Sequence, residues 1–547
     1  MKTKIFTFAL IIFINISLSA QIPNWSWAKG ASGMGAYGYS TISDEIGNVY
    51  VTGQFYTTIN FGDTTLISTG FPADTNTEIF IVKYNSSGNI IWARSAGGIG
   101  FDHSFGIAMD NNGYLYITGV TANYGTTIAF GNISLSPNGY DNIYIAKYDT
   151  SGNALSVKLA KVKGGGYSST GICTDLSGNI YITGWFSDSL IFDNTVITSS
   201  GLQRDIFIAK YSSSGNVLWA KSAGGLAPDE SNSIAADQLG NVYITGMFAD
   251  STIVFGNITL TNSAPSPWGQ ADYFIAKYDS SGNAIWAKSA GNYLDEAGLG
   301  VATDHSNNVY VTGYYRGAIT FGSYIINNGG YYDTFIVKYD FNGNVLWAKG
   351  AGVSNISYSK AITIDSLNNA YITGYYNGSN IVFGNDTLIN TNAGSYDLFI
   401  AKYDNLGYVK WAKTAGGIYD DYGYGITIDK FGNIYHTGRI YNQAIFDNET
   451  ITSSFFLAKI SGQTLQINKN EQDITLTIFP NPVTNILTIN APQKAIYEIY
   501  NLQGQIIKTI KSRNEMTNIN VSTLHNGLYI LVAQMENGII VKKFVKE

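Results

Sequence analysis

The chain is predicted to be all-β: a seven-bladed β-propeller followed by a small Ig-like β-sandwich. Three observations predict it. The dipeptide Thr-Gly follows an apolar or aromatic stretch at Thr52, Thr118, Thr183, Thr245, Thr312, Thr373 and Thr437, with 61 to 67 residues from one copy to the next. The 547 residues include 60 Gly, 40 Tyr and 27 Phe, so turn formers stand beside strand formers throughout. Near residue 473 the period stops, and a tail of short alternating stretches takes over.

The first element is a leader. Lys2 and Lys4 precede an apolar run from Ile5 to Leu18 and small residues ending at Ala20, the layout of a secretory signal peptide over 1–20, with a cut after Ser19 as the alternative. About 14 apolar residues are too few to span a bilayer. No comparable stretch follows, so an exported chain without a transmembrane anchor is expected. Apolar residues at 45% exclude disorder, and the one cysteine, Cys173, excludes an intramolecular disulfide framework and suits a core thiol. The net charge is −7, and from Asp473 onward seven Lys/Arg stand against five Asp/Glu, so the acid excess lies in the body. An acidic body argues against a nucleic-acid partner.

Each repeat reads as four strands. In the fourth copy these are "SIAAD", "NVYITG", "YFIAKYD" and "NAIWAKSA". Turns of the form Asp-x-x-Gly-Asn join the first strand to the second and the third to the fourth, where Gly can take positive φ and Asp can bond its own backbone. Asn307 and Asn368 replace the first-turn Gly in two copies, and Asn is the residue that next best tolerates that conformation. Four antiparallel strands repeated at a fixed period describe propeller blades.

The fourth strands carry "WAK" or a variant at Trp27, Trp92, Trp219, Trp286, Trp347 and Trp411, with "LAK" at Leu159 as the seventh. One of these precedes the first repeat and none follows the last. The N-terminal "NWSWAKG" is therefore expected to close the seventh blade, in preference to "GQTLQINK" at 462–469. The elements "D-x-x-GN-x-Y-[IV]-TG" and "[DE]-x-[FY]-I-[AV]-KY" resemble the SBBP-type β-propeller repeats of exported bacterial proteins. That resemblance covers about 21–460; it implies the fold and leaves function open.

A lysine follows each third-strand triplet (Lys83, Lys147, Lys210, Lys277, Lys338, Lys402, Lys459), and a second basic residue closes each fourth strand, including Arg94, Lys161 and Lys221. An acid precedes six of the third strands, as at Glu78, Asp205 and Asp397. One charge per blade at a fixed position reads as a charge ladder within and between blades, and one Trp per blade reads as inter-blade core. The Asp-x-x-Gly-Asn segments lack the alternating carboxylates of calcium loops.

A site is expected on the face of the long, variable connections. Four inter-blade links carry acids: Asp102 with His103; Asp229 and Glu230; Asp295 and Glu296; Asp420 and Asp421. Near one mouth of a central channel these would be the ligand-binding candidates, with Tyr293, Tyr419, Tyr422 and Phe101 as aromatic surface beside them. Calcium is the one cofactor such acids would suit; paired carboxylates could also serve glycoside hydrolysis. Only four histidines exist, and no zinc-protease motif, phosphate loop or nucleophile elbow occurs, so no catalytic residue is assigned.

The tail contains Pro480-Asn481-Pro482, "YNLQG", "NGLYIL" and the basic end Lys542, Lys543, Lys546. These look like the type A sorting domain of the type IX secretion system. The resemblance implies passage across both membranes and a secreted or outer-surface location. The expected organisation is signal peptide 1–20, propeller 21–465, linker 466–472 and sorting domain 473–547. The expected partners are the type IX machinery and a glycan or surface protein bound by a non-catalytic recognition module. The alternatives are a polysaccharide-degrading enzyme using the acidic loops, or a structural surface component.

Overall fold

The computed structural model describes residues 22–33, 35–69, 76–122, 127–136, 141–264, 270–327, 329–353, 355–390, 392–462, 476–491, 495–501, 506–512, 514–535 and 538–547. The expected signal peptide and linker lie outside them, as does all but the first residue of 462–469. The chain divides into two compact units, Met1–Gln463 and Thr464–Glu547. Among the described residues every regular element is a strand.

The first unit is built from four-stranded antiparallel modules, seven among the described residues. In the fourth module Asp229–Ala236, Val242–Phe248, Asp272–Tyr278 and Ala284–Ala290 pair in sequence order. In the last, Asp421–Ile428, Ile434–Ile440 and Phe455–Ile460 are completed by the N-terminal strand Trp25–Gly33, with Trp27 opposite Lys459. The first strand of each module lies against that of the next, and Asp421–Ile428 lies against Tyr37–Ser43 of the first. The apolar core sits between modules. One cluster, for example, joins Ile107 and Leu115 of the second module to Tyr50 and Ile81 of the first.

The turn Asp is satisfied locally in all seven modules. Asp237 Oδ1 accepts from the backbone N–H of Leu239 and Asn241 at 2.9 Å; its Oδ2 accepts from Asn241 Nδ2 at 2.8 Å and from the Tyr243 hydroxyl at 3.0 Å. Four donors leave that carboxylate fully engaged as a turn cap.

The long second-to-third connections carry an extra hairpin, and four of these extend the preceding module's sheet. Asn60 in Thr58–Phe61 pairs with Ser32, for instance, and Leu190 in Ser189–Phe192 pairs with Val162.

Two expectations need correction. The seventh member of the tryptophan series is Ser156, not Leu159: Lys147 faces Ser156 as Lys83 faces Trp92 and Lys210 faces Trp219. Lys158, rather than Lys161, then occupies the place of Arg94. The charge ladder is also only partial. Glu78 and Lys83 stand five residues apart on one strand, about 16 Å at about 3.3 Å per residue, too far to pair. The third-strand lysines instead lie over second-strand tyrosines, Lys83 at 4.9 Å from the Tyr50 ring centre and Lys338 at 4.7 Å from Tyr310. Three of them also approach a turn Asp, as Lys338 does Asp304 at 3.4 Å.

The second unit holds two sheets around one core. Thr477–Phe479, Ile486–Asn490 and Met516–Asn520 form one; Ile506–Ser512, Ala495–Tyr500, Gly527–Met535 and Gly538–Lys546 form the other. Leu487, Ile489, Tyr497, Leu531 and Phe544 lie buried between them.

Candidate functional site

The acids singled out in the inter-module links do not share one environment. Asp102, Asp229, Glu296 and Asp421 are completely buried rather than solvated at a channel mouth. Each caps its own link: Asp102 Oδ2 accepts from Gly98 N at 2.7 Å, Asp229 Oδ2 from Gly225 N at 2.8 Å, and Glu296 Oε2 from Asn292 N at 3.2 Å. Each also feels a second carboxyl, the one that precedes the third strand of the preceding module: Glu78, Asp205, Asp272 and Asp397 respectively. Burial, reinforced by that neighbouring charge and opposed by the backbone donors, pushes Asp102, Asp229 and Asp421 up to about 8 and Glu296 to about 9. The carboxyl before the third strand lies over the glycine that follows the outer strand. A Cβ on Gly291 would meet Asp272 Oδ1 at 2.2 Å, which accounts for the recurring Gly after "SA".

The remaining candidates lie in four different settings. Asp295 accepts from the Tyr332 hydroxyl and Asp420 from the Tyr422 hydroxyl, both at 3.2 Å. His103 is half-buried between Phe101 and Phe105, with burial holding its imidazole down at about 4. Glu230 is ion-paired to Arg204, whose guanidinium lies 4.2 Å from the Trp185 ring centre. Tyr293 and Tyr419 are exposed at the tips of their links. Among the described residues no three His, Cys, Asp or Glu side chains come close enough to hold a metal ion together.

A second set of residues forms the opening at the centre of the unit. Every first strand has a one-residue bulge, at Tyr39, Phe105, Thr170, Asn232, Leu299, Lys360 and Tyr424. A bulge leaves its residue unpaired and re-aims the side chain. All seven line one cavity of about 190 Å³ to which every first strand contributes.

The Thr-Gly pair creates this arrangement. The bulge brings a first-strand carbonyl onto the Gly, where a Cβ on Gly246 would lie 1.8 Å from the Glu230 oxygen, so only glycine fits. The adjacent Thr245 hydroxyl donates to the Phe274 carbonyl at 2.7 Å. Each bulged residue stands thirteen positions before its Thr, as Tyr39 does before Thr52 and Lys360 before Thr373. That constant offset is a sequence signal for the cavity.

Aromatic rings run unbroken around much of this opening. Centroid separations are 5.5 Å for His103–Phe105, 5.2 Å for Phe105–Tyr39, 5.5 Å for Tyr39–Tyr424 and 5.9 Å for Tyr424–Tyr422. They continue at 4.7 Å for Tyr422–Tyr375, 5.5 Å for Tyr375–Tyr358, 5.6 Å for Tyr358–Tyr332 and 4.8 Å for Tyr332–Tyr331. Arg316 lies 3.9 Å from the Tyr331 ring centre and Arg439 4.5 Å from that of Tyr37. The band brings His103, Asp295, Asp420 and Tyr422 together with Tyr39, Tyr331, Tyr332, Tyr358, Tyr375 and Tyr424, which were not singled out in the sequence.

Residues 477–547 match the secretion system C-terminal sorting domain, and residues 218–247 and 410–446 match a β-propeller repeat. The first unit thus has a β-propeller fold, and the tail marks the chain for export by type IX secretion to the cell surface or beyond it. An uncharacterized WD repeat-containing protein of Acanthamoeba polyphaga mimivirus, L264, is 27% identical over 456 residues, 70% of this chain and 32% of the viral protein. The regulatory protein FlaEY of Caulobacter vibrioides is 25% identical over 142 residues, 26% of this chain and 15% of its own. This chain therefore spans well under two thirds of either relative. The solved structure of PorZ, a bacterial surface component of the type IX secretion system of Porphyromonas gingivalis, is 10% identical over 95% of this chain and 100% of that one. Its TM-score is 0.22, too loose a likeness to bear on function. Among the described residues no helix is long and apolar enough to cross a membrane.

Proposed function

We propose that the chain is a closed seven-bladed propeller with an immunoglobulin-like sorting domain, and that after secretion it serves as a non-catalytic recognition module for glycans. The observation that carries this reading is the unbroken series of rings from His103 through Tyr39 and Tyr422 to Tyr331 around the central opening. Tyrosine offers a large, stiff, amphipathic face at low entropic cost, and its ring can stack on the apolar C–H side of a sugar. Asp295 and Asp420 stand in the same band as acceptors for sugar hydroxyls. The cyclic contact of the seven first strands supports the closed ring. Two small sheets around one core support the immunoglobulin-like tail. The fully buried state of Asp102, Asp229, Glu296 and Asp421 favours recognition over hydrolysis, because a substrate does not reach them between the blades.

The test is a glycan array with the full chain, run with calcium and again with chelator, beside Tyr422→Ala and Tyr358→Ala. Binding to a defined glycan subset that weakens about fivefold in either variant is expected, a stacked ring being worth on the order of 1 kcal/mol. Silence of the wild type in both conditions would overturn the glycan reading in favour of a protein partner. Turnover of any polysaccharide would overturn the non-catalytic part.

A further inference from the structure

The third-strand lysines lie on tyrosine faces, and Lys413 is bonded to Asp447 at 2.6 Å. Lys360 differs. It sits at a bulge and lines the central cavity, and among the described residues its amine has no hydrogen bond or ion pair. The bulged neighbours on either side are Leu299 and Tyr424, and the cavity wall as a whole contains no Asp or Glu. An ammonium in a confined space without a counterion is costly, and burial holds Lys360 below the ordinary lysine range. At the other six bulges stand neutral residues, so the fold does not require a cation there.

We infer that the central cavity receives a carboxylate-bearing sugar, such as a terminal uronic acid, with its carboxylate on the Lys360 amine and its ring against Tyr39 and Tyr424. This rests on the glycan reading and gives it a substrate class. The carboxylate supplies the charge that the cavity wall lacks, and the hydrogen bond it accepts from the ammonium is of the strong, charge-assisted kind. The cavity, about 190 Å³, is smaller than the roughly 300 Å³ at which drug-sized pockets begin. It therefore suits the end of a chain rather than a polymer threading through. On the opposite wall Thr170 donates to the Ser231 carbonyl at 2.6 Å and Asn232 Nδ2 to the Gly298 carbonyl at 3.0 Å, which leaves the Thr170 oxygen and the Asn232 Oδ1 as acceptors for ring hydroxyls.

The experiment is calorimetric titration of the full chain with tetragalacturonate and with its methyl ester, which removes the charge and keeps the ring. The acid should bind about tenfold or more tightly than the ester, in keeping with a hydrogen bond to a charged group. In Lys360→Met that ratio should fall to about one. Leu299, at the corresponding place in the neighbouring blade, shows that an apolar side chain is accommodated, and an unchanged circular-dichroism spectrum would verify the fold. Equal binding of acid and ester by the wild type overturns the inference and leaves the glycan reading intact. Retention of the acid preference in Lys360→Met also overturns it. Failure of both sugars, together with a silent array, removes both. An aspartate-rich peptide that binds as tightly as the uronate would show that the cavity reads charge and not sugar.

Discussion

The ammonium of Lys83 and the indole N–H of Trp92 donate to the same acceptor, the carbonyl of Thr150 in the next blade, at 3.1 and 3.0 Å. The arrangement recurs with Lys277 and Trp286 on Phe341, at 3.0 and 3.1 Å. Beneath each carbonyl the turn glycine receives the ring: a Cβ on Gly152 would lie 3.0 Å from Trp92, and one on Gly343 would lie 2.9 Å from Trp286. One strand pair thus grips the tight turn of its neighbour.

Replacing Trp92 or Trp286 by Ala should cost about 3 kcal/mol or more, as for other buried aromatics, read from urea unfolding midpoints. Trp219, only partly buried while making the same contact to Ser280, should cost visibly less. Equal losses at all three would mean that the grip, rather than burial, sets the energy.

Stability should fall as pH rises from 6.5 to 8. Asp102, Asp229 and Asp421 titrate near 8 and Glu296 near 9 in the fold, against about 4 when unfolded. A raised carboxyl contributes stability that is complete below its unfolded value and is lost as pH climbs through its folded one, by at most about 1.4 kcal/mol per pH unit each. The half-buried His103 and the buried His436, held at about 4 and about 3, act in the opposite sense, but only below their unfolded range. The combined variant D102N, D229N, E296Q and D421N should abolish the slope in a thermal melt series. A wild-type midpoint that stays level or rises over this interval would show the acids to be ionised in the fold.

Gly374→Ala should prevent stable folding or cost several kcal/mol, since its Cβ would lie 1.8 Å from the Tyr358 carbonyl oxygen. Gly394→Ala is the matched control, with nothing nearer than 3.8 Å. Melting of the two purified proteins distinguishes a forced bulge from general intolerance of a methyl group.

Deletion of 473–547 removes the matched sorting domain and should strand the propeller in the periplasm. Fractionation followed by immunoblotting checks this, and unchanged surface or secreted levels would contradict it.

Much of the fold was legible in the sequence because turn chemistry and strand pattern repeat with every blade. The register error at Leu159 came from matching the letters "LAK" instead of counting from the turn. The tryptophan follows the turn Asn by three residues at Asn89 and Trp92 and at Asn283 and Trp286, and the same count from Asn153 reaches Ser156. The sequence places these acids at a channel mouth and not between modules because a charged side chain is rarely buried whole. Their recurrence one module after a second acid, as Asp229 follows Asp205, was the available sign of two carboxyls sharing a buried setting that raises both. Tyr39, Lys360 and Tyr424 escaped notice because a bulge leaves no mark in an alternating pattern. Their fixed distance from Thr-Gly becomes meaningful only once that glycine is understood as the floor of the bulge.

The strand that completes the last blade comes from the other end of the polypeptide: Ser26 and Ser461, 435 positions apart, share a hydrogen bond. The last module is therefore fastened by a strand that precedes the first. That strand precedes every other strand of the unit and must wait for nearly all of them before it can dock, the slowest kind of contact for a chain to find. Proteolytic loss of Trp25–Gly33 would cut no module in two, yet it would undo the fastening between the last module and the first.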